Sequence, residues 1–262
     1  MGKFLYWMLL LTAQIIAPLV VIDRAGAEQA AGANVAAAAD LQYALPEIVH
    51  AFVRGGGEPP RLSFGSSGVF AHQIVNGAPF EIFLSADESY VALVHQAGRA
   101  EDAGTPYATG RLALFIPKGS AIVADRDLAD LGRAARDGRL KRLAIANPEH
   151  APYGRAAREA LQQLGLWPLV ETKLVLGENA AQAAQFVASG NAQAGILPLS
   201  LALSPALADR GAFMTLPQSW HVPLRQRMVL LQGAGENARR FYRFLGQGEA
   251  RAILARHGFA PP

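Results

Sequence analysis

Within residues 61–77, the run Gly65-Ser66-Ser67-Gly68 sets two hydroxyls between two glycines, after an apolar stretch and before an amphipathic one. Three kinds of chemistry fit such a group: a nucleophilic serine, a cradle for an anion, or a plain helix cap. A nucleophile elbow requires Gly-x-Ser-x-Gly, with its glycines four apart. Here they are three apart and Val69 follows Gly68, so the pattern fails. A triad also needs a histidine with an orienting acid. His72 follows too closely on the same helix to reach back, which leaves His150 as the other candidate near a strand end.

Three more junctions share the makeup of small residues, a hydroxyl or amide, then a helix. They are Ala38-Ala39-Asp40, the turn 147–154 that carries Tyr153, and Gly177-Glu178-Asn179-Ala180. Helix starts offer unpaired backbone N–H groups and the positive end of the helix dipole. Several of them converging at the carboxyl ends of parallel strands would hold a small anion without any arginine. Glu149 and His150 are adjacent, so they cannot easily point at one metal, and no His-Glu-x-x-His pattern exists. Asp87 suits a helix cap better than a base.

The elements that must position these groups alternate along the chain. Strands are expected at 35–38, 61–64, 81–84, 111–116, 143–146, 173–176, 195–197 and 228–232. Helices are expected over 41–52, 69–74, 90–96, 153–164 and 179–189, with two more closing the chain at 237–245 and 249–257. Such alternation means α/β layers with mainly parallel sheets. Segments 100–110 and 209–214 lack periodicity and read as crossovers. They divide the chain into a discontinuous first domain (28–109 plus 212–262) and an inserted second one (110–211).

The chain of 262 residues is 51% apolar and 17% charged with a net charge of +3, the composition of a globular protein with ample core. Its basic residues are scattered, which argues against nucleic acid as a partner. Residues 1–27 combine an early Lys3, an apolar run over 4–22 and the small-residue site Ala25-Gly26-Ala27. This is the layout of a cleavable signal peptide, with a retained membrane anchor as the alternative. No cysteine is present, so disulfides, thiolate metal sites and cysteine lipidation are excluded.

In order and spacing, six motifs resemble the periplasmic molybdate-binding proteins of ABC transporters: VAAAADLQYAL (35–45), SFGSSG (63–68), QIVNGAPFEIFLSAD (73–87), ANPEHAPYGRAAREALQQLG (146–165), GENAAQA (177–183) and FYRFLGQGEARAILARHGF (241–259). The resemblance implies a two-domain, type II periplasmic-binding-protein-like α/β fold with two crossover hinges. It also implies an interdomain cleft that takes molybdate or tungstate through neutral donors. Carried over residue by residue, the ligand groups are the Ala39-Asp40 turn, Ser67 with Ser66 beside it, Tyr153, and the N–H of Ala180. No catalytic residue, cofactor or cation site is implied. The expected partner is an inner-membrane ABC permease, and the expected state a periplasmic monomer.

Two residues depart from the pattern. Asp40 stands where Ser, Thr or Asn is usual, and an ionised carboxylate facing a dianion is repulsive. It is therefore expected to act through its N–H and as a helix N-cap, with the carboxylate elsewhere. Pro198 replaces a ligand tyrosine, for which the Tyr153 hydroxyl could compensate. The alternatives are another tetrahedral oxyanion such as sulfate or phosphate, a binding protein that serves a sensor, and a serine-dependent hydrolase.

Overall fold

A computed structural model describes residues 32–262. The signal-peptide reading of residues 1–27 lies outside the described residues. Ten strands form two five-stranded sheets. In chain order they are β1 (Asn34–Ala38), β2 (Arg61–Gly65), β3 (Ile82–Ser85), β4 (Thr105–Gly110), β5 (Leu112–Pro117), β6 (Leu143–Ala146), β7 (Leu174–Gly177), β8 (Ala194–Pro198), β9 (Gly211–Thr215) and β10 (Leu224–Leu230).

The first sheet has the order β2-β1-β3-β10-β4 and the second β7-β6-β8-β5-β9. Each is mixed in the same way. Three parallel strands lie at one end, and one strand, β10 or β5, runs antiparallel to both of its neighbours. The chain crosses between the sheets at Arg111 and again over residues 216–223. The two segments expected as crossovers instead contribute strands. Thr105 onward pairs with β10, and Gly211 onward pairs with β5 as an edge.

The central strands are apolar without alternation because both of their faces are covered. Val35 and Ala37 of β1 pack with Leu45, Ile48, Phe52 and Phe241 on one side, while Ala36 meets Phe70, Ile74 and Val91 on the other. In the second sheet Leu114 and Ile145 face Leu131 and Leu161, while Phe115 and Ala144 face Val187 and Leu197. The largest of these cores also takes in Ala38, Ala86 and Leu224 from the first sheet, so the two layers are continuous across the cleft. Burial of this kind stabilises by about 25 cal/mol per Å² of apolar surface.

Candidate functional site

Parallel pairing brings the loops together. Register sets Ala38 opposite Gly65 and Ala146 opposite Gly177, so the turns that follow β1, β2, β6 and β7 all emerge at carboxyl ends. They close on one small cavity lined by Ala38, Ala39, Asp40, Gly65, Ser66, Ser67, Ala86, Ala151, Pro152, Tyr153 and Ala180. All six residues singled out in the sequence therefore meet in one place. The cavity volume is about 10 Å³, room for roughly one water-sized sphere.

Four helical starts surround it. Ala39–Leu41 is a single 3₁₀ turn, and the α-helices Ser67–Val75, Pro152–Gln163 and Ala180–Ala188 begin at its wall. At such positions the N–H groups of Asp40, Ser67, Tyr153 and Ala180 have no carbonyl one turn back to bond. Asn179 caps the last helix by accepting from the N–H of Gln182 at 3.1 Å, which leaves the Ala180 N–H to the cavity wall. The Ser67 hydroxyl oxygen accepts from the Ala86 N–H at 3.0 Å, so its proton is available to donate. No lysine or arginine is in the lining. What remains is a set of neutral donors and dipole ends suited to negative charge.

Two hydroxyls expected to face a ligand are already bonded. Ser66 donates to the His150 carbonyl at 2.5 Å, across the cleft, and the Gly68 N–H shares that carbonyl at 3.0 Å. His150 Nδ1 lies 3.0 Å from Ser66 Oγ. With the serine proton directed at a carbonyl, the ring nitrogen must be the donor in that contact, the reverse of base activation. The ring's other nitrogen lies 3.5 Å from Glu178, which is 74% exposed and too solvated to orient a catalytic histidine. Tyr153, for its part, gives its hydroxyl to Asp40 Oδ2 at 2.8 Å.

Asp40 differs most from expectation. It caps no helix: it lies inside the 3₁₀ turn, and the α-helix that follows, Ala44–Arg54, begins four residues later. Its carboxylate points inward, 1% exposed, because Tyr153 and Gln226 supply donors there. Gln226 Nε2 reaches Oδ2 at 2.5 Å, and Ser200 holds the Asp40 backbone carbonyl at 2.8 Å. Oδ1 has no partner among the described residues. Burial pushes the carboxyl up to about 6, against the opposing pull of the Gln226 and Tyr153 hydrogen bonds. Burial likewise holds the Tyr153 and Tyr107 phenols well above their ordinary value, with the charge of Asp40 adding to it.

Gln226 and Ser200 were not singled out in the sequence. Gln226 stands between Arg225 and Arg227 in β10, where no local signal marks it as buried. Pro198 ends β8 and lies outside the cavity lining; the helix it starts, Leu199–Ala202, supplies Ser200 instead. Asp87 accepts from the Ser89 N–H at 2.7 Å, as a helix cap, and also pairs with Arg155 from across the cleft. Among the described residues no cluster of His, Asp and Glu is arranged to hold a metal ion.

A family model for bacterial extracellular solute-binding proteins matches residues 33–260. The molybdate-binding protein ModA of Azotobacter vinelandii is 35% identical over 236 residues, covering 89% of this chain and 91% of that one. The ModA of Rhodobacter capsulatus is 36% identical over 234 residues, covering 88% and 89%. Among solved structures, the Azotobacter vinelandii periplasmic molybdate-binding protein superposes with a TM-score of 0.79 at 29% identity, over 88% of this chain and 99% of that one. The sulfate-binding protein SubI of Mycobacterium tuberculosis, at 15% identity and a TM-score of 0.73 over 88% and 87%, shares the fold alone.

Proposed function

The chain belongs to the bacterial extracellular solute-binding proteins, and from that premise we propose that it captures molybdate, and tungstate with it, for an ABC permease. The observation that carries the reading is the cavity itself: four helical starts and the Ser67 hydroxyl around a space without a cationic side chain. A dianion moved from water into dipoles already aimed at it gains from each charged hydrogen bond, about 1.5–3 kcal/mol apiece. Ser67 donates through its hydroxyl, and Asp40, Ser67, Tyr153 and Ala180 through backbone N–H groups, while Ser66 and Ala39 shape the wall. Tyr153 keeps its hydroxyl for Asp40.

In this reading the two sheets mark two lobes that part at Arg111 and residues 216–223 to admit the anion. The ligand is cargo, no bond is made or broken, and no cofactor is required. The relatives named as molybdate-binding proteins support the choice of ligand, and the periplasmic one among the solved structures supports export to that compartment. A thermal-shift titration of residues 28–262 with molybdate, tungstate and sulfate tests it. Molybdate at ~100 times its dissociation constant should stabilise the fold by about 2.7 kcal/mol, with tungstate alike and sulfate inert. A shift with sulfate or phosphate but with neither metal oxyanion would overturn the assignment.

A further inference from the structure

We propose that Asp40 is a proton-carrying specificity residue: the protein takes up one proton at its Oδ1 as the lobes close, and that proton is donated to an oxygen of the bound dianion. The proposal rests on the molybdate reading above and deepens it. Three observations at the site support it. Asp40 lines the cavity, so whatever anion enters meets its carboxyl. One carboxyl oxygen is saturated by Tyr153 and Gln226, while the other is buried with no side-chain partner and has only the nearby N–H groups of Asp40 and Leu41, too poorly aligned to satisfy it. An orphan buried acceptor costs free energy unless a proton or a donor reaches it. A dianion brings neither, being itself all acceptor, so two charged acceptors would face each other in a dry space. Protonating Oδ1 turns that repulsion into a hydrogen bond.

No positive charge opposes this step. The groups that face the carboxyl are Tyr153 from the helix Pro152–Gln163, Gln226 from β10 and Tyr107 from β4; two are phenols held neutral by burial and the third is an amide. Parting the lobes wets the carboxyl, which lowers its proton affinity toward the ordinary range by more than the loss of the Tyr153 donor raises it. Closure and the dianion both raise it. Proton uptake is therefore coupled to capture, and affinity must fall as pH rises.

The same arrangement sets specificity. An ionised Asp40 would accept from a protonated anion such as hydrogen phosphate; a protonated one donates, and so favours a fully deprotonated oxyanion.

Calorimetric titration of the protein with sodium molybdate decides the matter, run at pH 6.0, 7.0 and 8.0 in buffer pairs of different ionisation enthalpy. Wild type should take up close to one proton per anion at pH 8.0, and its dissociation constant should weaken about tenfold per pH unit between 7 and 8. In Asp40→Asn the amide N–H₂ replaces the proton, so uptake should vanish and affinity should stay flat with pH. Wild-type binding without proton uptake at pH 8.0, a reading that needs no variant, would overturn the proposal. So would Asp40→Asn retaining the uptake. Binding of hydrogen phosphate in preference to molybdate would show the opposite protonation and overturn it as well. Absence of molybdate heat at every pH would instead remove the functional reading, and this inference with it.

Discussion

Asp40 carries a cost that the rest of the fold must support whenever the lobes close without a ligand. Its carboxyl ordinarily titrates near 3.8 but is raised to about 6 in the folded protein, so the folded state binds the proton more tightly than the unfolded one. Stability is then full below about pH 4, declines between 4 and 6, and stays reduced above. At 1.36 kcal/mol per unit the loss is about 3 kcal/mol. Ligand-free Asp40→Asn should therefore populate the closed form more than wild type at pH 8 and equally at pH 4, as read by small-angle scattering. Ser67→Ala removes one hydroxyl donor and should weaken molybdate binding by 10- to 150-fold in calorimetry, and it should also lower the melting temperature because the buried Ala86 N–H loses its acceptor. Residues such as Ser67 and Ala180 were legible because each opens the helix that follows a strand, where chemistry and periodicity coincide. Gln226 was not: its partner Asp40 is 186 residues away, and nothing local marks a strand glutamine as buried.

Helix starts do most of the positioning, and Gly68 shows how tightly. A methyl added there would lie 2.6 Å from the His150 carbonyl oxygen, which already receives the Gly68 N–H and the Ser66 hydroxyl from across the cleft. Gly68→Ala should hold the lobes apart and weaken molybdate binding at least tenfold. Alanine is also the better helix former by roughly 1 kcal/mol, so the ligand-free melting temperature should hold or rise. That split separates a closure defect from a folding one. Most elements were legible, since the buried strands are continuous apolar runs and Asp87 and Asn179 spell out caps. The misses share a cause. β4 and β9 are edge strands with exposed positions and small residues, and β10 begins four residues before the expected strand because its Arg225, Gln226 and Arg227 dilute the apolar signal. The helix Ala129–Asp137 was passed over for its polarity; Arg139 anchors it through Asp130, whose carboxyl that contact holds far below its usual range.

At the scale of the molecule, the closed form is held, beside the shared apolar core, by polar cross-cleft contacts that include Ser66 and Gly68 to His150, Tyr153 and Ser200 to Asp40, Gln226 to Tyr153, and the Arg155–Asp87 pair. The last is partly buried and substrate-independent, so Arg155→Ala should loosen closure and speed molybdate release several-fold in stopped flow. Small-angle scattering should show the radius of gyration falling when molybdate is added to wild type, and falling less in Gly68→Ala. The two-layer architecture was legible from the alternation of elements, whereas the crossings were not, because both run into strands without a change of composition. The interleaving of the first sheet has a further consequence. Strand β10 is inserted between β3 and β4, although some 114 residues of chain separate the end of β4 from its start. A chain emerging N-terminus first thus presents an unfinished sheet, with β3 and β4 unjoined, until nearly its last forty residues have arrived. The inserted half can assemble on the way, but the half that opens the sequence is completed late, and it stays threadable through a narrow translocation pore for almost the whole of its synthesis.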